Sequence, residues 1–284
     1  MSANAHEPRG LAATGDAAPA SADLIHAERS IELAPGLSFS THPLAEQPPF
    51  CDTPLRDDAL RLWLLRPEWQ LLSREDAFAR LSPHERKRAK CFPQPGIGKR
   101  FAVGRAVLRG ILGGMLAVPP KSLEIIDHES GRVTLNLSDA NRPIDIAVAY
   151  AGIWILIGIG AQPLGLATAF STGDVVDDDD RHRVRLASVA AAAGTPSAAG
   201  YLCQSTDTHA HRVHTHDAGT WRVIDLPMPG RQCIAAVAAR EIRDVQASGW
   251  NSSVKLPAPP RGNPPRGRRN DAPAGVAAGM THTG

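Results

Sequence analysis

Two groups of residues have the side-chain types and the spacing of a metal site. Four consecutive aspartates occupy Asp177–Asp180, and carboxylate oxygens are among the ligands that Mg²⁺ prefers. Adjacent aspartates in a loop more commonly form a hydrated charge patch. Four histidines follow one another closely enough that two or more could share a strand face and bind a metal. They are His209, His211, His214 and His216.

Residues 86–90 form a basic segment. An arginine guanidinium group can hold an anion through its N–H donors, and an ordinary solvated helix surface is the alternative. The basic residues are Arg86, Lys87, Arg88 and Lys90.

The basic segment is predicted to lie on a helix that begins at a strong start signal. Ser82 can cap the helix, Pro83 suits its first turn, and Glu85 can complete a capping box. A longer helix is predicted from about residue 99 to 117, because its apolar residues recur at helical spacing with two arginines on another face. The apolar residues are Phe101, Leu108, Leu112 and Met115, and the arginines are Arg105 and Arg109.

The remaining regular segments are predicted to be short strands, which gives an α+β fold class with two layers. Strands followed by helices and then by strands occur twice along the chain, and the second round is stunted. The predicted strands outside residues 144–170 are 60–65, 123–126, 133–137, 221–226 and 233–239.

Residues 146–170 contain no charged side chain, and this run is long enough to cross a bilayer. A membrane-associated protein is therefore one alternative. The other is a pair of buried strands at residues 144–150 and 154–159. Glycine and proline interrupt the run so often that strands and turns are favoured.

Composition suggests four segments. Residues 1–52 and the Pro/Arg-rich tail 247–284 are predicted to be disordered, because they have too little apolar surface to offset their ordering entropy. Between them the repeated order of strands and helices predicts two α+β parts, a first at 53–162 and a second, stunted one at 163–246.

Charge and cysteine content exclude several classes of protein. The 284 residues carry a net charge of only +2, which argues against a nucleic-acid partner. The four cysteines are scattered without a C-x-x-C pair, so neither a zinc ribbon nor a disulfide scaffold is expected. The N-terminus lacks the pattern of a signal peptide, and a cytoplasmic location is expected. Nothing in the sequence sets the oligomeric state.

The order and spacing of several motifs resemble the surfactin-type 4'-phosphopantetheinyl transferases. The family carries a segment like L-S-P-x-E-x-x-R-x-x-x-F, matched at 81–92, and an R-x-x-x-G-R-x-x-L-R helix, matched in full at 100–109. Its G-K-P-x-L hairpin corresponds to Gly131–Leu135, with Arg132 in place of lysine. Its F-N-x-S-H-S-G-x-W and P-x-G-x-D-x-E segments correspond to 146–154 and 163–169, where Gly, Trp, Pro and Gly are kept.

This resemblance implies a fold of two similar α+β halves with the active site between them. Members of the family transfer the phosphopantetheine arm of coenzyme A to a serine of an acyl or peptidyl carrier protein, and they require Mg²⁺. By position, the resemblance assigns Arg88 to the nucleotide phosphate of coenzyme A and Arg132 to the neighbourhood of the adenine.

The residues that carry out the family's reaction are missing. The Asp and Glu of P-x-G-x-D-x-E are the family's Mg²⁺ ligands, and here they are Ala167 and Ala169, which have no ligand atom. The family also uses a Glu and a Lys in a later W-x-x-K-E-A segment, aligned here with about 186–198. No glutamate lies between Glu129 and Glu241, and no lysine between Lys121 and Lys255, so no alignment restores that pair.

The Ser-His pair that the family uses on coenzyme A phosphates is Ala149 and Tyr150. Tyr150 can still donate a hydrogen bond but brings no positive charge. We therefore predict a family member whose transferase activity is impaired or lost, with no catalytic or metal residues assigned and with Arg88 and Arg132 as ligand-binding candidates. An inactive pseudoenzyme that binds coenzyme A or a carrier protein is the alternative.

Overall fold

Two β-sheets and four α-helices form the described part of the chain. The computed structural model describes residues 29–68, 71–128, 133–136, 144–171, 177–230 and 232–250. The helices are α1 (Arg74–Arg80), α2 (Pro83–Cys91), α3 (Pro95–Leu116) and α4 (Asp178–Ala193). The strands are β1 (Arg29–Ala34), β2 (Leu37–His42), β3 (Ala59–Leu65), β4 (Ile125–Asp127), β5 (Val133–Leu135), β6 (Asp145–Ala151), β7 (Trp154–Gly160), β8 (Leu164–Phe170), β9 (Leu202–Ser205), β10 (Ala210–Thr215), β11 (Gly219–Leu226), β12 (Cys233–Ala239) and β13 (Asp244–Ser248).

The larger sheet has the strand order β1-β2-β13-β3-β7-β6-β5-β4, and the smaller sheet has the order β8-β12-β11-β10-β9. Strand β13 is parallel to both of its neighbours, whereas the other pairings are antiparallel. Mixed sheets with helices on their outer faces are an α+β architecture, so the predicted fold class is confirmed at this level.

Three apolar clusters hold the layers together. Helix α3 packs on one face of the larger sheet, where Leu108 and Ile111 meet Trp63 and Ile157. The opposite face of that sheet packs against the smaller sheet through residues such as Leu62 and Val237. Helix α4 covers the outer face of the smaller sheet. The two longest helices therefore lie on opposite outer faces of a pair of stacked sheets.

The predicted local structure around the motifs is confirmed. Helix α2 begins with a complete capping box at Ser82, and the long helix is present, although it begins earlier, at Pro95. The uncharged run 146–170 folds as most of β6 together with β7 and β8, as its glycines indicate. In the part of the chain that the structure describes, no helix is long and apolar enough to cross a membrane.

The prediction of disorder is wrong where it overlaps the described residues. Within 1–52, strands β1 and β2 form a hairpin at the edge of the larger sheet. Its turn includes Gly36, whose φ is +68°, a conformation that glycine adopts without strain. Leu37 and Phe39 are fully buried. The alternation of apolar residues in these strands is hard to recognise because the surrounding sequence is rich in alanine and proline.

The boundary at residue 247 is also wrong. Ala247 and Ser248 belong to β13, which lies between β2 and β3 inside the larger sheet. Trp250 is buried, and its indole N–H donates to the Pro227 carbonyl at 2.9 Å. Residues 1–28 and 251–284, predicted to be disordered, lie outside the described residues.

Candidate anion-binding site

Helices α2 and α3 are joined by a buried ion pair that sets the position of the basic residues. The Arg109 Nε donates to Glu85 Oε2 at 2.8 Å, and both side chains are almost completely buried. Nη1 of the same arginine donates to the carbonyls of Pro120 and Leu123, each at 2.9 Å. A buried charge is tolerated only when it is paired and hydrogen-bonded, as this one is. The pair therefore acts as a fixed support behind the surface that carries Arg88.

Three arginines line a cavity of about 380 Å³ in front of this support. Arg88 comes from α2, and Arg100 and Arg105 come from α3. The guanidinium carbons of Arg88 and Arg105 lie 4.9 and 5.5 Å from the centre of the Phe101 ring. Arg100 lies 5.2 Å from the centre of the Tyr150 ring and donates to the Gly152 carbonyl. Aromatic rings at this distance stabilise the cations and hold their planes in place.

Tyr150 closes the inner wall of the cavity. It lies against α3 at Gly104, where an added Cβ would be only 3.1 Å from the tyrosine hydroxyl. Burial raises the pKa of the Tyr150 phenol, although the nearby Arg105 and Arg100 oppose this rise. The phenol is consequently protonated at neutral pH and can donate a hydrogen bond to a ligand. Gly104 of the helix motif thus has a structural role, which is to let the ring approach the helix.

Arg105 has unused hydrogen-bonding capacity at the cavity wall. Its side chain is only 5% exposed, and neither Nε nor Nη1 has a hydrogen-bond partner within the described residues. Burial lowers the pKa of the Arg105 guanidinium. Buried polar groups are nearly always hydrogen-bonded, and an exception in a native structure needs an explanation. Two free donors beside two further arginines are suited to an oxyanion.

Among the described residues that line the cavity, one carboxylate lies between these arginines. Asp127, at the end of β4, accepts from Arg88 Nη1 at 2.5 Å through Oδ2 and pairs with Arg105 Nη2 through Oδ1. The neighbouring His128 bonds to Thr134 at 2.7 Å across the hairpin. Among the described charged side chains that line the cavity, three guanidinium groups thus face one carboxylate, and the site remains positively charged.

The region that the resemblance assigns to magnesium is apolar. Side chains alternate along β8, so Gly165, Ala167 and Ala169 lie on the same face of the strand. That face packs against α4: a Cβ added at Gly165 would lie 2.1 Å from the Ser188 carbonyl oxygen. Ala167 and Ala169 pack into the cluster that contains Val184 and Val189 of that helix. Methyl groups offer no ligand atoms, so these residues do not fit a magnesium ion.

The two groups that could have formed a metal site do not converge. The aspartates are wrongly assigned to a loop: Asp177 caps α4 through a 2.6 Å bond from the Asp180 amide, and Asp178–Asp180 form its first turn. Acidic residues are stabilised there by the helix dipole. Within the described residues, no three His, Cys, Asp or Glu side chains are grouped as a metal site.

The histidines are divided by the pleat of β10. His211 is buried, and its Nε2 lies 3.3 Å from Asp225 Oδ2, whereas His214 is on the opposite face and bonds to Thr220. His216 is exposed beside Asp217. For His209, burial lowers the pKa of the imidazole. The hypothesis of a shared metal face is therefore not supported by the geometry.

Sequence reasoning located only part of the site. Arg88 lies in the cavity as a ligand-binding candidate, and Arg132 lies outside the described residues. Arg100 and Arg105 were recognised as motif positions but not as site residues. Their spacing of five along a helix separates the two side chains by about 140° around its axis, so it gave no signal that both line one cavity. No sequence signal connects Asp127 with Arg88, since the contact spans 39 positions.

No protein-family model matches the chain, and a part of it is similar to a known protein. A stretch of 79 residues is 42% identical to the 4'-phosphopantetheinyl transferase HetI of Nostoc sp.. This stretch is 27% of the chain and 32% of the relative, so the chain spans about a third of the length of the protein that it matches. The similarity supports a relation to the 4'-phosphopantetheinyl transferases.

Proposed function

We propose that this chain is a member of the surfactin-type 4'-phosphopantetheinyl transferase superfamily that binds coenzyme A but has lost most or all of its transferase activity. The binding half of the proposal depends on one observation, the three arginines held on an aromatic wall by α2 and α3. Coenzyme A carries a phosphomonoester and a pyrophosphate, and guanidinium groups are suited to both.

The loss of transfer is inferred from the chemistry of β8 and α4. Displacement at a pyrophosphate requires the developing charge to be neutralised and the attacking hydroxyl to be activated. The alanines on β8 and the apolar cluster beneath α4 supply neither of these. We accordingly derive no metal-dependent step for this protein.

The two-half organisation belongs to the same proposal. The first half would contribute α2, α3 and the anion site, and the second would contribute β8 and α4. An acyl or peptidyl carrier protein is the proposed partner, by analogy with the family. Residual transferase activity is the competing outcome, and the mass of a carrier protein after incubation with the chain and coenzyme A distinguishes the two.

The binding half is tested by titrating the protein with coenzyme A in a calorimeter at low salt. Arg88→Gln should weaken binding by about tenfold or more, because a charge-assisted hydrogen bond is worth about 1.5–3 kcal/mol. Lys87→Gln removes the same charge from a neighbouring, exposed position of α2 and should change affinity by less than about threefold. Equal effects of the two substitutions, or no binding by the native chain, would contradict the assignment.

A further inference from the structure

Asp127 has an unusual position for a residue of an anion-binding cavity. Its two carboxylate oxygens each engage one of the cavity's arginines, Arg88 at 2.5 Å and Arg105 on the other side. The carboxylate is thus in the place where the paired N–H donors of those arginines would hold a phosphate. With 28% of its side chain exposed, it lies near the mouth rather than in the protein interior.

The carboxylate does not satisfy the site completely. The Nε and Nη1 of Arg105 are left without partners in the described residues even though Asp127 is in place. A carboxylate has two oxygens in one plane, whereas a phosphomonoester has three oxygens arranged around phosphorus and carries about two negative charges. A phosphomonoester could therefore bind donors that Asp127 cannot reach.

We propose that Asp127 is an internal competitor for the anion site, so that a ligand phosphate binds by displacing its carboxylate from Arg88 and Arg105. This inference rests on the proposed function only in naming coenzyme A as the ligand. The selectivity role of Asp127 is not part of the proposed function. A monoanion has no charge advantage over the carboxylate and is rejected, whereas a dianion gains both charge and one of the two free donors of Arg105, Nε or Nη1, beside Nη2.

The position of Asp127 makes displacement feasible. It terminates β4, which is the outermost of the described strands of the larger sheet and pairs with β5. The aromatic contacts of Arg88 and Arg105 with Phe101 do not involve Asp127, so the cations stay in place when the carboxylate moves away. Arg88 is 44% exposed, which gives an incoming ligand access from solvent.

The test compares Asp127→Asn with the native chain, using inorganic pyrophosphate and coenzyme A as separate probes in a calorimeter. Removing the competitor should tighten the binding of both probes by about tenfold. Glu124→Gln is the matched control, because it removes one negative charge three residues away from an exposed position. It should change affinity by less than about threefold, since solvent and salt screen exposed charges.

A second pair of variants covers the case in which Asp127→Asn does not fold because Arg105 loses its counter-charge. Neither the single variant Arg105→Gln nor the double variant Arg105→Gln/Asp127→Asn leaves a buried charge unpaired. In Arg105→Gln, the carboxylate of Asp127 can still compete at Arg88, whereas the double variant has no competing carboxylate. The double variant should bind pyrophosphate about fivefold more tightly than Arg105→Gln.

The two probes separate the two claims. Tighter pyrophosphate binding by Asp127→Asn, with no coenzyme A binding by any variant, would support the competitor role and overturn coenzyme A as the ligand. Coenzyme A binding that is equal in the native chain and in Asp127→Asn would keep the proposed ligand and overturn the competitor role.

Discussion

At the scale of single residues, the charged groups of this protein fall into supports and free binding groups. Arg109 is buried, and its Nε and Nη1 donate to Glu85 Oε2 and to two backbone carbonyls, so it holds helices together, although Oε1 of Glu85 has no hydrogen-bond partner within the described residues. Arg105 is equally buried but keeps two donors unused. This difference, rather than the number of positive charges, distinguishes a binding residue from a structural one. Motif matching cannot make the distinction, because both arginines belong to the same helix pattern.

A second buried charge group predicts how stability depends on pH. Asp225 lies between Arg185, which donates to it at 2.6 and 3.0 Å, and His211. Burial raises the pKa of the Asp225 carboxyl, but the hydrogen bonds and charges of His211 and Arg185 outweigh burial, and the pKa is lowered overall. The contribution of this group to stability is therefore fully present above the ordinary aspartate pKa of about 3.9 and is lost as the pH falls through the lowered value.

Asp225→Asn should reduce the free energy of unfolding by about 3 kcal/mol near neutral pH, because it leaves a partly buried arginine without its partner. Between about pH 5 and about pH 2.5 the native chain should lose more stability than the variant. Unfolding in urea at both pH values gives the free energies of unfolding of the native chain and of the variant. Asp217→Asn, at an exposed position, serves as the control and should follow the native chain, and an identical pH dependence for Asp225→Asn would contradict the assignment.

At the scale of secondary-structure elements, α4 packs closely on β8 at the positions that the resemblance assigns to the magnesium ligands. Gly165 makes this approach possible. An added Cβ there would lie 2.1 Å from the Ser188 carbonyl oxygen and 2.4 Å from the Ala192 nitrogen. Both are backbone atoms of the helix, so α4 itself would have to move. The apolar face of α4 and the alanines of β8 therefore belong to the same packed interface.

Gly165→Ala should therefore destabilise the protein by about 2–3 kcal/mol, the range expected for overpacking against a rigid neighbour. Gly96→Ala is the matched control, because no heavy atom lies within 4 Å of the added Cβ in the first turn of α3. That substitution should be neutral or stabilise by up to about 1 kcal/mol. The unfolding free energies of both variants in urea provide the comparison, and equal values would mean that α4 does not pack on β8 as described.

Local elements could be predicted where their signals are short-range. The capping box at Ser82, the central part of α3 and the strands on either side of Gly152 follow from residues a few positions apart. The hairpin of β1 and β2 and the strand β13 were missed. Their apolar alternation lies beside low-complexity sequence, and β13 is stabilised by strands about 200 positions away. A single sequence carries no record of such pairing.

At the scale of the whole molecule, the two regions that the proposed function assigns to phosphate binding and to transfer differ in their chemistry. The cavity between α2, α3 and β6 has the charge and the hydrogen-bond donors for a phosphate. The face of β8 beneath α4 has only apolar side chains at the positions that the resemblance assigns to magnesium. The absence of Glu and Lys from the second half was readable from sequence alone. The structure was needed to show that α4 packs against Ala167 and Ala169 and that no substitute carboxylate among the described residues takes their place.

The central claim is that coenzyme A binding persists while transfer of its arm has been lost. The most direct measurement is the mass of an apo carrier protein after incubation with the purified chain, coenzyme A and Mg²⁺, beside a parallel incubation with an active 4'-phosphopantetheinyl transferase. We predict that the carrier gains the pantetheine arm only in the parallel reaction. A carrier modified by this chain at a comparable rate would contradict the account.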